Sequence, residues 1–212
     1  ITVTRPKPLK CVEADPARES FIWHDWHFSG LGRKYGERGL CSYIPLCYHH
    51  APKNIDLYEE PDVVVVQVTP MDAHGFFNFS TTCSMTPTYC RKARKVVVEV
   101  NTLTPWCLGG LDETIHISQV DMVVEGPNSR LVQLPELEAS EADRIIASHV
   151  MGLLEDGSTI QLGIGALPNI VGAMIARSGL KDLGVHTEML ADSYVDMYEA
   201  GRITGKHKGI DR

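Results

Sequence analysis

The spacing of apolar positions changes character several times along the chain, and each change marks an element. Three runs of β-branched residues stand out: DVVVVQVTP at 62–70, KVVVEVN at 95–101 and VDMVVEGP at 120–127. Unbroken valine, as opposed to strict alternation, predicts strands buried on both faces, as in parallel sheets. Between the first two runs, the hydroxyl-rich FSTTCSMTPTYCRKA offers N-cap residues for the crossover helix that a parallel pair requires. Upstream, the DPARES start with Asp15 as cap and an early proline predicts a helix over 15–29, ended by Gly30, Gly32, Gly36 and Gly39. The following LCSYIPLCYHHAP carries a central proline and reads as a short strand or irregular segment.

A second pattern begins after the charged LPELEASEAD, and a boundary is expected between Pro135 and Ser140. Ser140 with Asp143 approximates a capping box for a helix over 141–155. A turn at Asp156 and Gly157, the strand STIQLGIG, a helix over 168–177, a turn at Gly179 and a strand running into VHTEML complete a fresh βαβ unit. The expected fold class is therefore α/β: an open, mostly parallel sheet with flanking helices over residues 1–138, then the start of a second, similar α/β domain over 139–212. No short-period repeat or low-complexity segment interrupts it.

Composition narrows the function classes. With 43% hydrophobic and 22% charged residues in 212, the chain can bury a real core. Its net charge of -7 and the absence of a dense Lys/Arg cluster argue against a nucleic-acid partner. No apolar run approaches the roughly 18 residues needed to cross a bilayer, and the N-terminus lacks a signal core, so a cytosolic protein without a membrane partner is expected. The six cysteines, irregularly spaced and without a CxxC pair, suit reduced thiols better than disulfides or zinc. A start at Ile1 and a stop at Arg212, inside a basic, glycine-punctuated run, suggest a piece of a longer polypeptide.

The chemistry concentrates in STIQLGIGALPNIV and VHTEMLAD. In the first, a strand ending in Gly163 and Gly165 passes directly into a helix with Pro168 in its first turn. Glycines there let an anion approach the backbone closely, and the helix N-terminus adds roughly half a positive charge. A third glycine and a P-loop lysine are both missing, which excludes the usual dinucleotide and nucleotide-triphosphate fingerprints. In the second, Glu188 falls at the carboxyl end of a strand, the edge where open α/β sheets bind ligands. A carboxylate there, beside amides that stabilise an oxyanion, is the arrangement for nucleophilic catalysis. Gly163 and Gly165 are the oxyanion donors of choice, with the Gln161 side chain as a third. His186 shares the strand face of Glu188, Asp192 is expected to cap the next helix, and DAHG at 72–75 is either a cleft loop or a tight turn. His24, His27, His49 and His50 lack a complete ligand spacing, so no metal is assigned.

In order along the chain, YIPLCYHHAP, VVVVQVTPMDAHGFFNFS, KVVVEVN, IHISQVDMVVE, QLGIGALPNIV and LGVHTEMLADSYVDMYEAG resemble the acetyl-CoA hydrolase/transferase family. The similarity is strongest to its 4-hydroxybutyrate and butyryl-CoA:acetate CoA-transferases. That resemblance implies an acyl-CoA:carboxylate CoA-transferase in which Glu188 carries a covalent coenzyme A thioester, with ping-pong kinetics. It places a coenzyme A-binding turn on Gly165, Ala166, Leu167, Pro168 and Asn169. It implies coenzyme A thioesters and short-chain carboxylates as substrates, no permanently bound cofactor, and a homo-oligomer. It also implies a first domain lacking its opening strand and helix, and further contacts from a C-terminal part of the same enzyme, without which the fragment is expected to be inactive. The alternatives are an acyl-CoA hydrolase using the same glutamate and, from another class, a non-catalytic ligand sensor.

Overall fold

The computed structural model describes residues 8–110, 112–131 and 137–207. They form a mixed α/β structure of parallel sheets and flanking helices. The chain divides into two compact units, Ile1–Arg130 and Leu131–Arg212. Pro135, at one edge of the expected boundary, lies outside the described residues.

The first unit opens with α1 (Lys10–Ala14), β1 (Trp23–Asp25), α2 (Gly30–Glu37), β2 (Cys41–Tyr43) and α3 (Ala51–Tyr58). The helix expected over 15–29 does not form. Asp15 instead gathers the backbone N–H groups of Glu19, Ser20 and Phe21 onto its carboxylate at 2.7–3.1 Å, and Arg18 takes a positive φ of 60°. Asp15 therefore caps no helix start: it follows α1 and closes a loop, and 23–25 pair in parallel with β2. As a result His24 sits on a strand and His27 follows it, away from the common helical face a metal pair would use; His27 packs edge-on against Tyr48.

The central sheet follows the valine runs. β3 (Val63–Val68) pairs in parallel with β5 (Lys95–Val100), which pairs in parallel with β7 (Met122–Glu125). The crossover between β3 and β5 contains β4 (Phe76–Asn78) and the expected helix, α4 (Thr86–Lys92); β4 pairs antiparallel with β6 (Thr114–His116). Val66, Val68, Val96 and Val98 pack with Phe77, Phe79 and Ile115 into one core. Each such side chain contributes about 1.5–3 kcal/mol by leaving water. The expectation of burial on both faces fails: Val63, Val65, Met122 and Val124 are exposed. The helix and the β4–β6 pair cover one face, and no described element of this unit covers the other.

The second unit consists of α5 (Glu141–Met151), β8 (Thr159–Ile160), α6 (Ala166–Arg177), β9 (Gly184–Val185) and α7 (Asp192–Glu199). Ser140 and Asp143 form the expected capping box, with Asp143 N–H donating to Ser140 Oγ at 3.2 Å and Ser140 N–H to the Asp143 carboxylate at 2.8 Å. β8 and β9 are parallel and joined through α6, the βαβ unit read from the sequence. Asp192 is the first helical residue and caps nothing with its side chain; Ala191 holds the cap position. Ala147, Ile160, Val171, Ile175, Leu183, Tyr194 and Met197 form the core. Gly172 lets α6 and α7 meet, since a Cβ there would lie 2.4 Å from the Ser193 Cβ.

Candidate functional site

STIQLGIG forms ladder bonds over only two residues, Thr159–Ile160, paired with Gly184–Val185. Its shortness has a physical reason. Glycines at 163 and 165 withhold the side chains that hold a strand flat, and the chain turns at once into α6. Gly165 is the N-cap of that helix at φ 127° and ψ 179°, a conformation that strains any L side chain, while added bulk would meet nothing closer than Pro168 at 3.9 Å. The glycine is required by backbone conformation, not by crowding.

The neighbouring strand runs alongside this turn. His186 N–H donates to the Ile160 carbonyl at 3.0 Å, and the Thr187 hydroxyl donates to the Leu162 carbonyl at 3.3 Å. The paired register ends at Ile160 and Val185; beyond it, among the described residues, only the His186 amide and the Thr187 hydroxyl tie the two segments together. The strand expected to run into VHTEML stops at Val185, so Glu188 lies three residues beyond the end of β9, and it is exposed. Among the described residues, the N–H groups of Gly163, Ile164 and Gly165 have no hydrogen-bond acceptor. Ala166 and Leu167 head α6, where the first amides have no intrahelical partner, and Pro168 has none to offer. A row of free donors at a helix N-terminus can hold an anion and stabilise an oxyanion.

The structure brings Glu188, His186, Gln161, Gly163, Gly165 and the first turn of α6 together in one unit. Gln161 and His186 are both exposed, and Asn169 lies on the exposed side of the α6 first turn. DAHG is a tight turn: Asp72 Oδ1 accepts from His74 N–H at 2.9 Å and Phe76 N–H at 2.8 Å, and Gly75 has φ 86°. These bonds, the Phe76 amide first, hold the Asp72 carboxyl below the usual range. Two residues at the site were missed from the sequence, Thr187 and Tyr194. Threonine beside the glutamate was a visible signal. Tyr194, whose hydroxyl accepts from Leu162 N–H at 2.5 Å, is 32 positions from its partner and gave none.

Parallel strands joined through a helix that starts directly after a glycine turn define an α/β protein. The sequence profile of the acetyl-CoA hydrolase/transferase N-terminal domain matches residues 3–135, and the chain belongs to the acetyl-CoA hydrolase/transferase family. The butyryl-CoA:acetate CoA-transferase of Anaerostipes caccae is 45% identical over 207 residues, covering 97% of this chain and 46% of that protein. Among solved structures, RipA from Yersinia pestis superposes with a TM-score of 0.81 at 31% identity, over 90% of this chain and 45% of its own. The 4-hydroxybutyrate CoA-transferase from Porphyromonas gingivalis superposes at 0.71 and 28% identity, over 96% and 52%. The chain therefore spans about half the length of the relatives it matches.

Proposed function

We propose that this chain is part of an acyl-CoA:carboxylate CoA-transferase in which Glu188 is the nucleophile and the Gly163–Gly165 amides, with Gln161 nearby, form the oxyanion site. The observation that supports this reading is the row of unpaired amides at Gly163, Ile164 and Gly165 leading into α6, on the segment that Thr187, the neighbour of Glu188, reaches through the Leu162 carbonyl. A carboxylate oxygen of Glu188 attacks the thioester carbonyl, the carbon–sulfur bond breaks, and coenzyme A leaves as thiolate from a mixed anhydride. The thiolate then attacks the glutamyl carbonyl and expels the first carboxylate, leaving a glutamyl-CoA thioester. An incoming acid reverses the sequence, which gives ping-pong kinetics and needs no redox or metal chemistry. Each tetrahedral intermediate carries an oxyanion, and one well-placed donor is worth about 3–4 kcal/mol to such a barrier.

Gly165, Ala166, Leu167, Pro168 and Asn169 are assigned to coenzyme A, whose phosphates suit the positive end of α6. Butyryl-CoA with acetate is the first substrate pair to test, since that pair is named for a relative at 45% identity. The rest of the polypeptide completes the site. A cytoplasmic enzyme fits the cysteines, all six of which are free.

The test is to incubate the complete enzyme with butyryl-CoA, reduce with borohydride and map the modified peptide by mass spectrometry. Modification within VHTEML, abolished in Glu188→Ala, is expected; modification elsewhere removes the assignment. Adding labelled acetate separates transfer from hydrolysis, because a transferase yields acetyl-CoA and a hydrolase yields free coenzyme A.

A further inference from the structure

The ladder between β8 and β9 ends at Ile160 and Val185, three positions before Gly163 and Glu188. Beyond Ile160 the backbone of Leu162, a half-buried residue, still carries an N–H and a C=O that need partners. Both partners are hydroxyls. Tyr194, 2% exposed on α7, accepts from Leu162 N–H at 2.5 Å, and Thr187 reaches the Leu162 carbonyl at 3.3 Å. The same Thr187 hydroxyl reaches the Met189 carbonyl at 3.0 Å, so one proton is shared between the residue before Gly163 and the residue after Glu188. Tyr194 is itself held, because Gly172 allows α6 to seat against Ser193, its neighbour on α7. Met197 and Ile175, both fully buried, fix that crossing.

We propose that Thr187 and Tyr194 are positioning residues that set the separation between Glu188 and the glycine turn. The proposal rests on the assignment of Glu188 as nucleophile. Side chains stand in for backbone pairing here: a ladder continued past Ile160 and Val185 would join Leu162 to the backbone of His186 and Glu188, and the two hydroxyls take those places on Leu162. A hydroxyl clamp on Leu162 ties the segment before Gly163 to the segment around Glu188 where the backbone ladder has ended. Neither hydroxyl needs to touch substrate. Displacing a nucleophile by about 1 Å costs on the order of a hundredfold in rate, so a clamp two bonds away is a sensitive point.

The test uses the complete enzyme, butyryl-CoA as the probe, and three variants. Thr187→Val keeps the shape and removes the hydroxyl, Thr187→Ser restores it, and Tyr194→Phe removes the other one. The rate of coenzyme A adduct formation on the VHTEML peptide is followed by quench and mass spectrometry, alongside KM for butyryl-CoA. Thr187→Val and Tyr194→Phe are expected to slow adduct formation by about 10- to 100-fold, with KM changed by less than about twofold, and Thr187→Ser to recover most of the loss. If Thr187→Val forms the adduct at the wild-type rate, or if KM rises while the adduct rate holds, the positioning role is overturned and Glu188 keeps its assignment. If the wild-type enzyme carries no adduct on that peptide, both fall together. Should Thr187→Val unfold, Tyr194→Phe decides in its place, and should Tyr194→Phe unfold, Thr187→Val does: a wild-type adduct rate in the folded variant overturns the positioning role.

Discussion

Single side chains differ sharply in what their surroundings allow. Burial pushes the Cys41 thiol up to about 11, with the Asp25 carboxylate adding to the rise, and burial does the same to Cys90, also to about 11. A thiol reacts as its thiolate, and a thiol with that value is ionised to about one part in a thousand at pH 8. Cys11 and Cys47 are exposed. Iodoacetamide at pH 8 is therefore expected to label Cys11 and Cys47 first and to leave Cys41 and Cys90 unmodified in the folded chain, with labelling of the latter pair rising as pH approaches 11. Peptide mapping across a pH series checks this; early modification of Cys41 would contradict its burial. At this scale the sequence was a good guide to chemistry and a poor one to geometry. Ser140 and Asp143 behave as their spacing predicts, because a capping box is a local bond. Asp15 offered the same kind of bond and spent it on a loop, because the choice between helix and loop at 15–29 is settled by where β1 must lie against β2.

Elements were legible wherever the pattern was long. Six-residue valine runs fixed β3 and β5, and the glycine-to-proline junction fixed α6, since each signal is repeated over a full turn or several pleats. What the run of valines did not reveal is how much of each face is covered, because coverage belongs to other parts of the fold. Val66 is 8% exposed and Val65 66%, side by side on β3. In the 212-residue chain, Val66→Ala is expected to cost about 2 kcal/mol as a cavity-forming change, and Val65→Ala no more than about 0.5 kcal/mol as a surface one. Urea unfolding of the two variants distinguishes them. Equal losses would mean that the Val65 face is packed in solution. The site itself was half legible. Glycine turn and glutamate are sequence features, whereas the hydroxyls that bind Leu162 come from residues that acquire meaning only when α7 folds back.

For the molecule as a whole, the passage from β8 into α6 turns on Gly165, whose φ of 127° and ψ of 179° mirror the extended conformation of ordinary residues. Empty space surrounds the missing side chain to 3.9 Å. What the fold demands there is handedness alone. A polypeptide assembled by chemical ligation with D-alanine at 165 should keep the junction and its free amides, while L-alanine, identical in volume, should cost about 1–3 kcal/mol and tilt the start of α6. Chirality at one atom would then separate two otherwise indistinguishable proteins, and with it a row of open amides from a mere bend in the chain.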